Sequence, residues 1–124
     1  MSESAIHLIL FAIAALTLVA GVAALAPRTV FARRLPADTF GAGGWLVLRH
    51  WGVLVVICGL LLFWAARDAT VRHPLLLAVG AEKLAFGLLV LRRRTTPLGK
   101  LLLPGALCDL LACLLFLLCW LAAR

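Results

Sequence analysis

Apolar residues in this chain neither alternate with polar ones nor form a one-sided stripe. They come in long runs separated by short groups rich in Arg, Asp, Thr, Gly and Pro. A helix needs about 20 apolar residues to cross a hydrocarbon core about 30 Å thick. Four runs meet that need, at about residues 5–26, 45–66, 74–91 and 101–123. They are far longer than a strand, and the dyad alternation of a membrane barrel is missing. The pattern predicts an all-α, four-helix transmembrane bundle formed by the whole chain as one unit.

The boundaries carry the expected punctuation. Pro27 follows the first run, and Gly41, Gly43 and Gly44 precede the second. Pro74 is expected in the first turn of the third helix, where proline is tolerated. Thr95, Thr96, Pro97 and Gly99 read as the turn before the fourth. Trp45, Trp51, Trp64 and Trp120 fall near the run ends, where amphipathic rings favour the membrane interface. The longest polar stretch, 27–44, still contains Phe31, Leu35 and Phe40, which fits a segment lying along that interface. Ala24-Leu25-Ala26 imitates a signal-peptide cleavage site. Ser2-Glu3-Ser4 supplies no basic leader, however, so the first run is expected to stay as a helix.

Composition removes the soluble alternatives. The chain has 124 residues, 65% of them hydrophobic and 14% charged, with a mean hydropathy of +1.15. An ordinary soluble domain is about 45–50% apolar and about 25% charged. A water-soluble enzyme, a disordered tail and a nucleic-acid module are all at odds with these values. Asn, Gln and Tyr do not occur at all.

The formal charge of +7 acquires a membrane meaning once the runs are placed. Arg28, Arg33, Arg34 and Arg49 fall on the same side as Arg92, Arg93, Arg94 and Lys100. The other side holds Arg67, Arg72 and Arg124, offset by Glu3 and Asp68. Basic residues stay in the cytoplasm, so both termini are expected on the non-cytoplasmic side. The short connections imply an up-down antiparallel bundle. Arg92, Arg93 and Arg94 are expected to meet anionic lipid head groups, at about 1 kcal/mol each. No motif turns the charge toward nucleic acid.

Three charged residues lie inside the runs: Glu82, Lys83 and Asp109. Each costs about 2.5–3.5 kcal/mol to insert, so a partner or a function must offset it. Lys83 lies eight residues before Leu91 and Asp109 eight after Leu101, which puts both about 12 Å from the boundary at about 1.5 Å per residue. Lys83 and Asp109 are therefore expected to form a structural ion pair. Adjacent helical residues point about 100° apart, so Glu82 should turn elsewhere. Arg49 and His50 are its expected partners by reach, unless it is protonated. One reading is a charge network that pins helix packing. The other is a polar ligand site of Glu82, His50 and Arg49, and the two are compatible.

The remaining candidates read as packing. His7, Leu10, Ala14, Thr17, Gly21 and Ala24 form a stripe on the first helix. Gly52 and Gly59, and Gly80 and Gly87, are pairs seven apart on the second and third. Small residues at such spacing let helices approach closely. His7 and His73 share a depth, but no third ligand joins them and no metal site is expected. Cys58, Cys108, Cys113 and Cys119 form no CxxC motif. Cys58 and Cys113 lie at similar depth, so a redox pair is an alternative to buried apolar cysteines.

Arg49-His50-Trp51-Gly52 opening the second run, Glu82-Lys83-Leu84 in the third and Asp109 in the fourth resemble small DoxX-like four-helix membrane proteins. The resemblance implies a bundle in a bacterial inner membrane. Some DoxX relatives are associated with quinone-linked sulfur redox chemistry, for which this chain shows no residue set. The leading expectation is a non-enzymatic multi-pass protein without a cofactor, binding or transporting a small or lipid-like ligand in an intramembrane polar pocket. The alternatives are an accessory or structural subunit of a larger membrane complex and a quinone-linked redox membrane protein; the expected partners are a homo-oligomer or another membrane protein.

Overall fold

The computed structural model describes residues 2–26, 29 and 41–122. The readings of Pro27, Arg28, Arg33, Arg34 and Arg124, and of Phe31, Leu35 and Phe40, lie outside them. Four helices carry the described chain: α1 (Glu3–Leu25), α2 (Ala42–Arg67), α3 (Ala69–Arg92) and α4 (Pro97–Ala122). All four are long and apolar enough to cross a membrane, as in a multi-pass membrane protein.

Side chains fix where α1, α3 and α4 start. The Ser2 hydroxyl accepts a hydrogen bond from the Ala5 N–H at 3.3 Å and caps α1. Thr96 caps α4, its Oγ1 accepting from the Gly99 N–H at 3.0 Å. Pro97 follows at the first helical position, where an N–H would have no helical partner anyway. The Thr96 hydroxyl also donates to the Arg93 carbonyl at 2.8 Å, closing the turn. A Cβ on Gly99 would overlap that carbonyl, so the turn requires glycine there.

The start of α3 corrects the expectation drawn from Pro74. The helix begins at Ala69, and Pro74 lies inside it. Asp68 is the reason. It ends α2 and caps α3, its Oδ1 accepting from the Thr70 N–H at 2.9 Å and from the Thr70 hydroxyl at 2.6 Å. The polar stretch 67–73, read from hydropathy as a connection, is therefore a one-residue join followed by a helical turn. Pro74 has no N–H to give the Thr70 carbonyl, so that helical bond is missing.

The closest packing is between α1 and α2. Leu10, Ala14, Thr17, Gly21 and Ala24 form the buried stripe of α1. Opposite them, Gly52 meets Ala24, Val56 meets Gly21, and Gly59 meets Leu18. Residue numbers thus fall on one helix as they rise on the other. A Cβ on Gly21 would lie 2.7 Å from the Val56 backbone nitrogen, and one on Gly52 would lie 2.8 Å from the Ala24 carbonyl carbon. These glycines are where the two backbones come closest.

Most of the other contacts join α3 to its two neighbours. Gly87 packs under Leu110 of α4, and Gly80 lies against Phe116. Trp51 of α2 stacks on Phe86 of α3 with ring centroids 5.1 Å apart. Leu10, Leu62, Leu76, Phe116 and Cys119 bring all four helices into one core. Large apolar side chains also cover the outside. Leu8 is 72% exposed and Leu77 76% exposed. A patch this extensive needs an apolar environment to cover it, and a bilayer supplies one.

Candidate functional site

Four residues of α3, Arg72, Val79, Lys83 and Val90, lie on one buried face together with Gly87. That face places two charged side chains inside the molecule, at different depths.

At the deeper position, Lys83 Nζ lies 2.5 Å from Asp109 Oδ1 of α4. The lysine is buried and the aspartate half-buried. Each charge meets its opposite, and either one buried alone would be costly. Cys58 of α2 and Cys113 of α4 both lie within electrostatic range of Glu82, Lys83 and Asp109. Cys113 Sγ donates to the Gly80 carbonyl at 3.4 Å.

Glu82 is half-buried, and among the described residues its carboxylate makes no hydrogen bond or ion pair. Arg49 and His50 are not brought to it. Arg49 is exposed, and its Nε donates to the Leu25 carbonyl at 3.2 Å, tying α2 to the end of α1. His50 is exposed beside it. A long side chain near a helix C-terminus finds free carbonyls close by, and that partner is nearer than a carboxylate deeper in the bundle.

The second buried charge is Arg72, only 2% exposed. Its Nε donates to the Ala65 carbonyl of α2 at 3.0 Å. Its Nη2 lies 2.7 Å from Glu3 Oε1 and 3.4 Å from His7 Nε2. His7 Nε2 is in turn 3.1 Å from Glu3 Oε1. Arg72 thus binds the start of α1, the end of α2 and the start of α3 into one polar knot. Reading Arg72 as a connection residue missed this. Its spacing of eleven from Lys83, about three helical turns, was the available signal once α3 is begun at Asp68.

A cleft of about 600 Å³ runs between α3 and α4. His73 and Trp120 line one end, Leu77 and Phe116 the middle, and Gly80 and Cys113 the other. Lys83 adjoins the lining residue Leu84, and Asp109 lies four residues before Cys113, so the ion pair stands beside that end without lining it. Glu82, Arg49 and His50 do not line the cleft. His73 meets Trp120 edge-on at 6.0 Å. Its Nε2 is buried without a hydrogen-bond partner among the described residues.

The chemistry available is limited and specific. All four cysteines are free thiols. Among the described residues no three His, Cys, Asp or Glu side chains are grouped to hold a metal ion. What the bundle offers is an apolar slot with a histidine at one end and an ion pair beside the other. Set against family models, curated proteins and solved structures, the chain matches none.

Proposed function

We propose that this chain is a multi-pass protein of a bacterial inner membrane, resembling DoxX-like proteins, that binds a small lipid-like ligand between α3 and α4. In this reading it is an up-down antiparallel bundle with both termini on the non-cytoplasmic side. The positive-inside bias supports that orientation, and the opposed residue numbering of packed helices supports the antiparallel arrangement.

The observation that carries the binding role is the cleft between α3 and α4. Its volume of about 600 Å³ falls in the range of about 300–1,000 Å³ occupied by small-molecule sites. Its lining is apolar apart from His73 and Cys113, and it opens on the outer surface. Lys83 and Asp109 act as its frame, holding α3 and α4 in register. The ligand-facing residues of this reading are His73, Gly80, Cys113 and Trp120, in place of Glu82, Arg49 and His50.

A fatty-acyl probe carrying a photoreactive diazirine tests it on the full chain in lipid nanodiscs. Labelling is expected to concentrate in residues 73–84 and 113–120. Ala81→Trp, which fills the cleft from an exposed position, should abolish it, and Glu82→Gln should leave it unchanged. Even labelling along all four helices, insensitive to Ala81→Trp, would show ordinary lipid contact and no site.

A further inference from the structure

The turn between α3 and α4 has a crevice of its own, at the opposite end of these helices from His73. Its volume is about 350 Å³. Phe86 and Leu89 of α3, Leu98 and Leu102 of α4, and Arg93 and Thr96 of the turn line it. The crevice is held in shape. Trp51 of α2 stacks on Phe86, and the Thr96 hydroxyl locks the turn to Arg93 and Gly99.

Charge gives the crevice its character. Arg92, Arg93, Arg94 and Lys100 fall within nine residues, and no acidic residue occurs between Glu82 and Asp109. All four basic side chains are exposed. Among the described residues none of them forms an ion pair, and Arg94 reaches only the Leu91 carbonyl, at 3.5 Å. The cluster needs an anion and the crevice needs hydrocarbon. A free phosphate would satisfy the first and leave the second empty. A zwitterionic lipid would fill the crevice but bring its own cation to four others.

We propose that the α3–α4 turn is a binding site for one anionic phospholipid, with its phosphate on Arg93 and the neighbouring cations and an acyl chain in the crevice beneath. Basic pockets between membrane helices recognise anionic head groups in this way. The site is independent of the cleft near His73, so either can exist without the other.

Native mass spectrometry of the full chain in mild detergent tests the proposal, with phosphatidylglycerol, phosphatidylcholine and glycerol phosphate as probes. One phosphatidylglycerol should be retained preferentially, with the other two bound more weakly. Arg93→Gln should weaken it about fivefold, the equivalent of one lost cation contact, and Arg92→Gln should have less effect because Arg92 does not line the crevice. Leu89→Trp should weaken it by filling the crevice from an exposed position, and Leu102→Phe should do the same from the other wall. Equal retention of the two phospholipids overturns the proposal. Glycerol phosphate binding as well as the lipid also overturns it, and so do equal effects of Arg92→Gln and Arg93→Gln with none from the crevice variants. Circular dichroism checks that each variant is folded.

Discussion

Arg72, six residues before Ala78 on α3 and buried, reaches back to Glu3 at the first turn of α1, with Nη2 and Oε1 2.7 Å apart. The guanidinium spends a second donor on the Ala65 carbonyl. A planar group with donors in several directions can close such a three-helix junction, and a lysine cannot reproduce its geometry. Arg72→Met is expected to destabilise the protein by about 2 kcal/mol, the scale of hydrogen bonds to a charged group, and Arg72→Lys should recover only part of the loss. Glu3→Gln should cost less than Arg72→Met, because the exposed carboxylate has water as an alternative partner. Thermal unfolding in detergent measures all three.

Lys83 and Asp109 should show the signature of a buried pair. Asp109→Asn leaves the buried lysine without its counter-charge, at a cost of about 3–5 kcal/mol. Replacing both residues, as Lys83→Met with Asp109→Leu, should restore most of that stability. Unfolding of the two single variants and the double variant gives the coupling directly. Additive effects would mean that the pair contributes no joint stabilisation.

The glycines separate by what surrounds them. Gly21→Val forces a side chain into the Val56 backbone and should cost about 1–3 kcal/mol, the usual range for overpacking. Gly80→Ala places a Cβ 3.6 Å from Phe116, an ordinary contact, and should be tolerated. Gly105 has open space around it within α4, so Gly105→Ala should stabilise by up to about 1 kcal/mol through helix propensity. A melting-temperature series over the three variants checks the order.

Asp68 links stability to pH. Hydrogen bonds from the Thr70 hydroxyl and N–H hold its carboxyl below the ordinary value of 3.8. A depressed pKa in the folded state means that the cap stabilises above the unfolded value and that this contribution fades as pH falls through the folded one. Wild type should therefore lose stability relative to Asp68→Ala as pH drops below about 4, and the gap between them should be constant from pH 6 to 8. Parallel unfolding curves across that acid range would remove Asp68 as the source.

The four helices were legible because a run of about twenty apolar residues has few other uses. Equal depth on neighbouring helices likewise placed Lys83 and Asp109 within reach, and they lie 2.5 Å apart. The start of α3 was not legible from hydropathy, because Asp68 and Arg72 resemble loop residues until their partners are known. Glu3 and His7 of α1 complete Arg72, and no local pattern in residues 67–74 encodes a contact so far away in sequence. Arg49 shows the same limit from the other direction. The face it turns to depends on how α2 rolls against α1, which the Gly52–Ala24 and Gly21–Val56 contacts decide. The cleft was invisible for a simpler reason: a slot between two apolar helices is an absence of side chains, and its lining reads as ordinary membrane sequence.

The single residue that joins α2 to α3 also has a consequence for how the protein is made. One residue spans at most about 3.6 Å, so the two helix ends at Asp68 can never part. α2 is always synthesised before α3, and the charged tip of Arg67, Asp68 and Arg72 lies where the two helices meet. Once both helices are formed, they can separate at that tip only by unwinding a helix end.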